Sequence, residues 1–107
     1  MSRSDGERVA DVLDAAAELA EVVTVGQDTF LGSPLHIRAA ERLLEIIGEA
    51  SNALTDDFKA GHPAVAWRDV SALRILLAHH YHRIDPAQVW HIAATSVPTL
   101  TEQLSGR

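Results

Sequence analysis

Between residues 73 and 82 the chain reads Leu-Arg-Ile-Leu-Leu-Ala-His-His-Tyr-His, its densest run of side chains able to do chemistry. Arg74 lies inside an otherwise apolar stretch, where an unpaired guanidinium would be costly. It therefore needs an anionic partner, either a ligand or a protein carboxylate such as Glu41 or Glu45. On a regular helix Tyr81, seven positions on, returns to within about 20° of the Arg74 direction, whereas His79, five positions on, points roughly 140° away. One straight helix does not bring Arg74 and His79 of the same chain together. Either the helix bends near Ala78, or a second copy of the chain completes the site. His79 and His82, one turn apart, could ligate a metal, but no cysteine or carboxylate accompanies them, and no metal is expected. His80 and His82 also suit a helix C-terminus, where the dipole favours them. Tyr81 alone reads as an amphipathic residue at a helix end.

Charge points to the same region. The net charge is −6, which argues against a broad basic surface for nucleic acid. Residues 1–60 hold twelve acids against five bases, and residues 61–107 four bases against three acids. Arg68, Arg74 and Arg83 flank the histidines, with only Asp69 and Asp85 nearby, so any anion-binding spot belongs here. A pocket for one or two phosphates suits this balance, and a long duplex footprint does not.

The elements that must carry these residues are helical. Ser4 followed by Glu7 is a capping box, and Val9, Val12, Leu13, Ala16, Leu19, Ala20 and Val23 form an apolar stripe beyond it. The first helix should end near Val22–Val25 and Gly26. Ser33-Pro34 opens a second, with Leu35, Ala39, Leu43, Ile46, Ile47, Ala50 and Leu54 along it. Residues 55–63 have turn composition. A third helix runs from about Ala64 into the histidines, and Asp85-Pro86 starts a fourth, reaching about Leu104. Pro98 inside it removes one backbone donor and predicts a kink near Ala94–Thr95. Trp67 and Trp90 read as core or interface anchors. The 107 residues suit one domain, and four helices with short loops imply an all-α antiparallel bundle.

Composition closes off several functions. The absence of cysteine excludes disulfides and thiolate catalysis. The N-terminal segment is polar and acidic, so no secretory leader is expected. The uncharged stretch Pro86–Thr101, which includes His91, Ser96 and Pro98, is too short and polar to span a bilayer. No membrane association and a cytoplasmic location are the expectations.

The pattern Arg-x4-His-x-Tyr, filled by Arg74, His79 and Tyr81, resembles the signature of the HepT-like ribonuclease toxins of the HEPN superfamily. Residues 39–50, AAERLLEIIGEA, look like that family's second-helix signature. Pro63 through Arg68 resembles its Pro-Trp-Arg entry to the third helix, and Asp85 through Trp90 the opening of its fourth. The resemblance implies a HEPN-like homodimer whose cleft is lined by both third helices, and metal-independent, cofactor-free cleavage of RNA. Residue types fit that chemistry. Attack by a ribose 2′-hydroxyl needs a proton acceptor and donor titrating near neutrality, a role for His79. It also needs a fixed cation for charge developing on the phosphoryl oxygens, a role for Arg74. His80 and Tyr81 would support substrate binding. The resemblance further implies that Tyr81 receives AMP from a cognate MntA-like nucleotidyltransferase antitoxin. One departure stands out: the family usually has a polar residue directly after the motif arginine, and this chain has Ile75. That residue favours an alternative, a catalytically silent helical dimerisation module that partners the transferase.

Overall fold

In the computed structural model residues 3–78 and 85–105 are described. They form helices α1 (Asp5–Val23), α2 (Gln27–Leu31), α3 (Pro34–Asn52), α4 (Asp56–Ala60), α5 (Trp67–Ala78), α6 (Pro86–His91) and α7 (Val97–Leu104). A π-helical turn over Ile92–Ser96 joins α6 to α7 as one rod. Four long helical rods therefore pack as an all-α bundle, with no strand among the described residues. No described helix is long and apolar enough to cross a membrane.

The start signals work as their chemistry requires. Ser4 Oγ accepts from the Glu7 backbone N–H at 3.1 Å, and the Glu7 carboxylate accepts from the Ser4 N–H at 2.9 Å. Two otherwise unpaired donors are thereby satisfied. Ser33 Oγ accepts from His36 N–H ahead of Pro34, and Asp85 Oδ1 accepts from Ala87 N–H ahead of Pro86. The stretch at 55–63 differs from its turn-like composition. Thr55 Oγ caps Phe58 N–H at 3.1 Å and starts the one-turn helix α4.

The core is built from Val12, Ala15, Ala16 and Leu19 of α1, Phe30 of α2, Ile37, Ala40, Leu44 and Ile47 of α3, Leu77 of α5, and Val89, Ala93, Val97 and Leu100 of the last rod. The buried face of α3 agrees with the expected residues at Ile47 and Ala50 and departs from them in the first turns. Leu35 is 77% exposed, while Ile37, Ala40 and Leu44 are buried. Helix α3 carries apolar residues on more than one face, and packing against both α1 and α5 decides which face is enclosed.

Pro98 deforms the last rod where expected, as a π turn. The Val97 N–H donates to Ile92 O, five residues back. A proline cannot donate to the carbonyl four residues before it, and a widened turn is one way a helix accommodates that loss.

Candidate active site

Helix α5 is seated from below and from the side. At its entry the Trp67 indole N–H points at two backbone carbonyls, Lys59 O at 3.1 Å and His62 O at 3.0 Å. Phe58 stacks on His62 with ring centroids 4.4 Å apart and meets Trp67 edge-on at 6.1 Å. This cluster fixes the α4–α5 connection, so Trp67 is an anchor, as its type suggested. Trp90 is the other anchor, tilted against buried Phe30 at 5.2 Å.

Along its side α5 lies against α3. Gly48 marks a close approach: a β-carbon there would stand 2.7 Å from the Arg74 backbone nitrogen and 3.0 Å from Leu73 Cβ. Only a residue without a side chain allows this approach. One turn further along α5, Leu77 borders a recess of about 310 Å³ shared with Arg38, Glu41, Arg42 and Glu45 of α3. The two helices therefore run antiparallel, with Arg74 at the glycine contact and Leu77, three residues on, at the charged recess.

Arg74 is solvent-exposed, contrary to the burial implied by its apolar neighbours. Its expected carboxylate partners are engaged elsewhere. Glu41 pairs with Arg38 at 3.1 Å and Glu45 with Arg42, each within one turn of α3. Arg74 takes part in none of the ion pairs among the described residues. The reason lies in the rest of the run: Ile75 is 54% exposed and Leu76 37%, so this stretch of α5 is apolar without being enclosed. The other members of the motif, His79, His80 and Tyr81, and His82 with them, lie outside the described residues. The expected divergence of Arg74 and His79 lies there too.

A second surface feature borders the exposed face of α5. An open groove of about 600 Å³ runs between α5 and the last rod, with Ala72, Leu73 and Leu76 on one wall and Ile92, Thr95 and Ser96 of the π turn on the other. Sequence reasoning missed both this groove and Gly48. The available signal for Gly48 was a glycine in a helix interior, which costs about 1 kcal/mol relative to alanine and usually has a packing reason.

Comparison with known proteins agrees with this architecture. The family profile described as Ribonuclease HepT-like matches residues 12–106. A Thermococcus cleftensis protein named as a probable ribonuclease HepT is 35% identical over 102 residues, 94% of this chain and 92% of the relative. A Methanocaldococcus jannaschii protein classed as a candidate RNase is 33% identical over 95 residues, covering 88% of this chain and 87% of the relative. A second candidate RNase of that organism is 34% identical over 92 residues, 86% of this chain and 71% of the relative. No solved structure matches the chain significantly. With a helical bundle of this layout, the family profile over nearly its whole length, and relatives that share a third of its residues end to end, the chain belongs to the HepT-like ribonuclease family.

Proposed function

We propose that the chain is the toxin of a type VII toxin–antitoxin pair, a homodimeric, metal-independent endoribonuclease silenced when a cognate MntA-like nucleotidyltransferase attaches AMP to Tyr81. The observation that carries the catalytic half is Arg74: exposed on α5 five residues before His79, while Glu41 and Glu45 are held by arginines of their own helix. A guanidinium so presented suits a phosphate, whose oxygens match its fork of donors.

In the proposed reaction the 2′-oxygen of the RNA bonds to the adjacent phosphorus and the bond to the 5′-oxygen breaks. The 2′-hydroxyl proton must leave and the departing 5′-oxygen must gain one. His79 serves this proton traffic because imidazole exchanges protons near neutrality. Arg74 holds the phosphoryl oxygens as charge builds on them. His80 and Tyr81 support the bound RNA. No metal or cofactor takes part. AMP on Tyr81 adds a negative phosphodiester seven residues beyond Arg74, a charge that the guanidinium could bind in place of RNA phosphate, and its adenine fills space that RNA needs.

The dimer is supported by the apolar residues that α5 leaves in water, Ile75 and Leu76, beside a groove that a second copy would cover. Ile75 also supports the second reading, a silent dimerisation module that partners the transferase. Its exposed side chain is suited to contact with another chain and has no proton to give or take.

Inducible expression of the native chain and of His79→Ala separates the two. The native chain is expected to arrest growth with fragmented RNA, and His79→Ala to do neither. Co-expression with the transferase is expected to restore growth and add adenylate mass to the Tyr81 peptide. A harmless native chain with intact RNA would establish the silent module instead.

A further inference from the structure

Gly48 is buried on α3, and the three atoms that a β-carbon there would meet first all belong to Leu73 and Arg74. The nearest, at 2.7 Å, is the Arg74 backbone nitrogen. A flexible side chain can turn aside from a new methyl group. A backbone nitrogen inside a helix can move only if the helix moves with it. Any side chain at 48 therefore displaces α5 from α3 at the step that carries the Arg74 side chain.

We infer that Gly48 is a positioning residue for Arg74: by letting α5 seat directly on α3, it sets where the Arg74 guanidinium is presented on α5. The inference rests on the reading of Arg74 as the phosphate clamp. It adds that the clamp's position is held from the neighbouring helix, by the absence of a side chain. Gly48 touches no substrate and acts only through the backbone of Arg74. A wedge at Gly48 thus pushes first on the Arg74 backbone, and the Arg74 side chain moves with it. Misplacing a catalytic group by about 1 Å can cost on the order of 100-fold in rate.

The test uses the full chain in an RNA cleavage assay, below the thermal midpoint of every variant. Gly48→Ala is expected to lower kcat by about 10- to 100-fold with KM for RNA changed little. Val12→Ala opens a cavity at a buried residue of α1, a helix that packs on α3 and the last rod rather than on α5. It controls for stability and should leave kcat within about twofold. The decisive arm is a double-mutant cycle. In an Arg74→Ala background, followed by single turnover, Gly48→Ala should cost less than about twofold more, because the group it positions is gone.

Full turnover in Gly48→Ala would overturn the inference. So would an equal loss in the Arg74→Ala background, or an equal loss in a Val12→Ala protein of matched stability. If Gly48→Ala does not fold, Leu73→Ile carries the same cycle, since it broadens the facing side chain at its β-carbon and leaves the glycine in place. A different result removes the underlying reading: wild-type turnover in Arg74→Ala would dismiss the clamp itself, and the role of Gly48 with it.

Discussion

At the scale of single residues, exposure decides what a side chain can be asked to do. Arg74 stood out in the sequence, because a guanidinium among apolar neighbours needs an explanation. Its burial was not legible, since hydropathy along a chain cannot say whether an apolar helix face is covered. Because Arg74 is exposed, Arg74→Ala should shift folding stability by no more than about 0.5 kcal/mol. Its effect should fall on RNA turnover, and urea unfolding beside the cleavage assay measures both. Ser51 is the opposite case. It is fully buried on α3, and its hydroxyl finds no hydrogen-bond partner among the described residues. An unsatisfied buried hydroxyl is destabilising, and alanine is the better helix former. Ser51→Ala should stabilise the fold by about 1 kcal/mol, seen as a higher urea midpoint at an unchanged slope. An unchanged or lower midpoint would mean that the hydroxyl has a partner after all.

At the scale of elements, what could be read was what local chemistry writes. Ser4 with Glu7, Ser33 with Pro34 and Asp85 with Pro86 each start a helix where a side-chain acceptor precedes the first turn. Pro98 located the deformation of the last rod to within a turn, though a missing donor alone does not say that the helix will widen into a π turn. Helices α2 and α4, of five residues each, were not legible. A single turn has no periodicity, and tertiary contacts hold it. One such contact links distant parts of the chain: Asp5, in the first turn of α1, accepts from the Thr55 N–H at 3.0 Å and from its hydroxyl at 2.6 Å. These two bonds hold the Asp5 carboxyl below its usual range, and Ser4 does the same for Glu7. A depressed folded pKa contributes stability that is present above the unfolded value, roughly 4, and is lost as pH falls through the folded value. Thermal melts should therefore show a native chain that weakens as pH drops from about 5 toward 3. Asp5→Ala should already melt lower at neutral pH and lose less on acidification, so that the two curves converge. Parallel curves would deny the Asp5–Thr55 tie any part in the acid response.

At the scale of the whole molecule, the family and the bundle were legible because four short segments, spread in order along the chain, each resemble a family feature, and the family profile matches residues 12–106. The site was only partly so. Gly48, invisible to motif reading because it bears no functional group, proved to lie against Arg74 itself. The apolar face that α5 leaves open, with Ile75 at 54% and Leu76 at 37% exposure, gives the dimer a specific expectation. Sedimentation at micromolar concentration should show two copies, and Ile75→Glu should shift the balance toward monomer while helical content stays constant. A monomeric native chain that still cleaved RNA would dispense with the shared cleft. The central claim, that Arg74 and His79 cleave RNA by proton transfer and charge stabilisation without a metal, meets its most direct test in one assay. Purified native chain, Arg74→Ala and His79→Ala are incubated with RNA in the presence of EDTA, each variant having first been shown to fold by circular dichroism. The account predicts cleavage by the native chain undiminished by the chelator, and at least 100-fold slower cleavage by either variant. Native activity abolished by EDTA and restored by zinc, or full activity in His79→Ala, would contradict it.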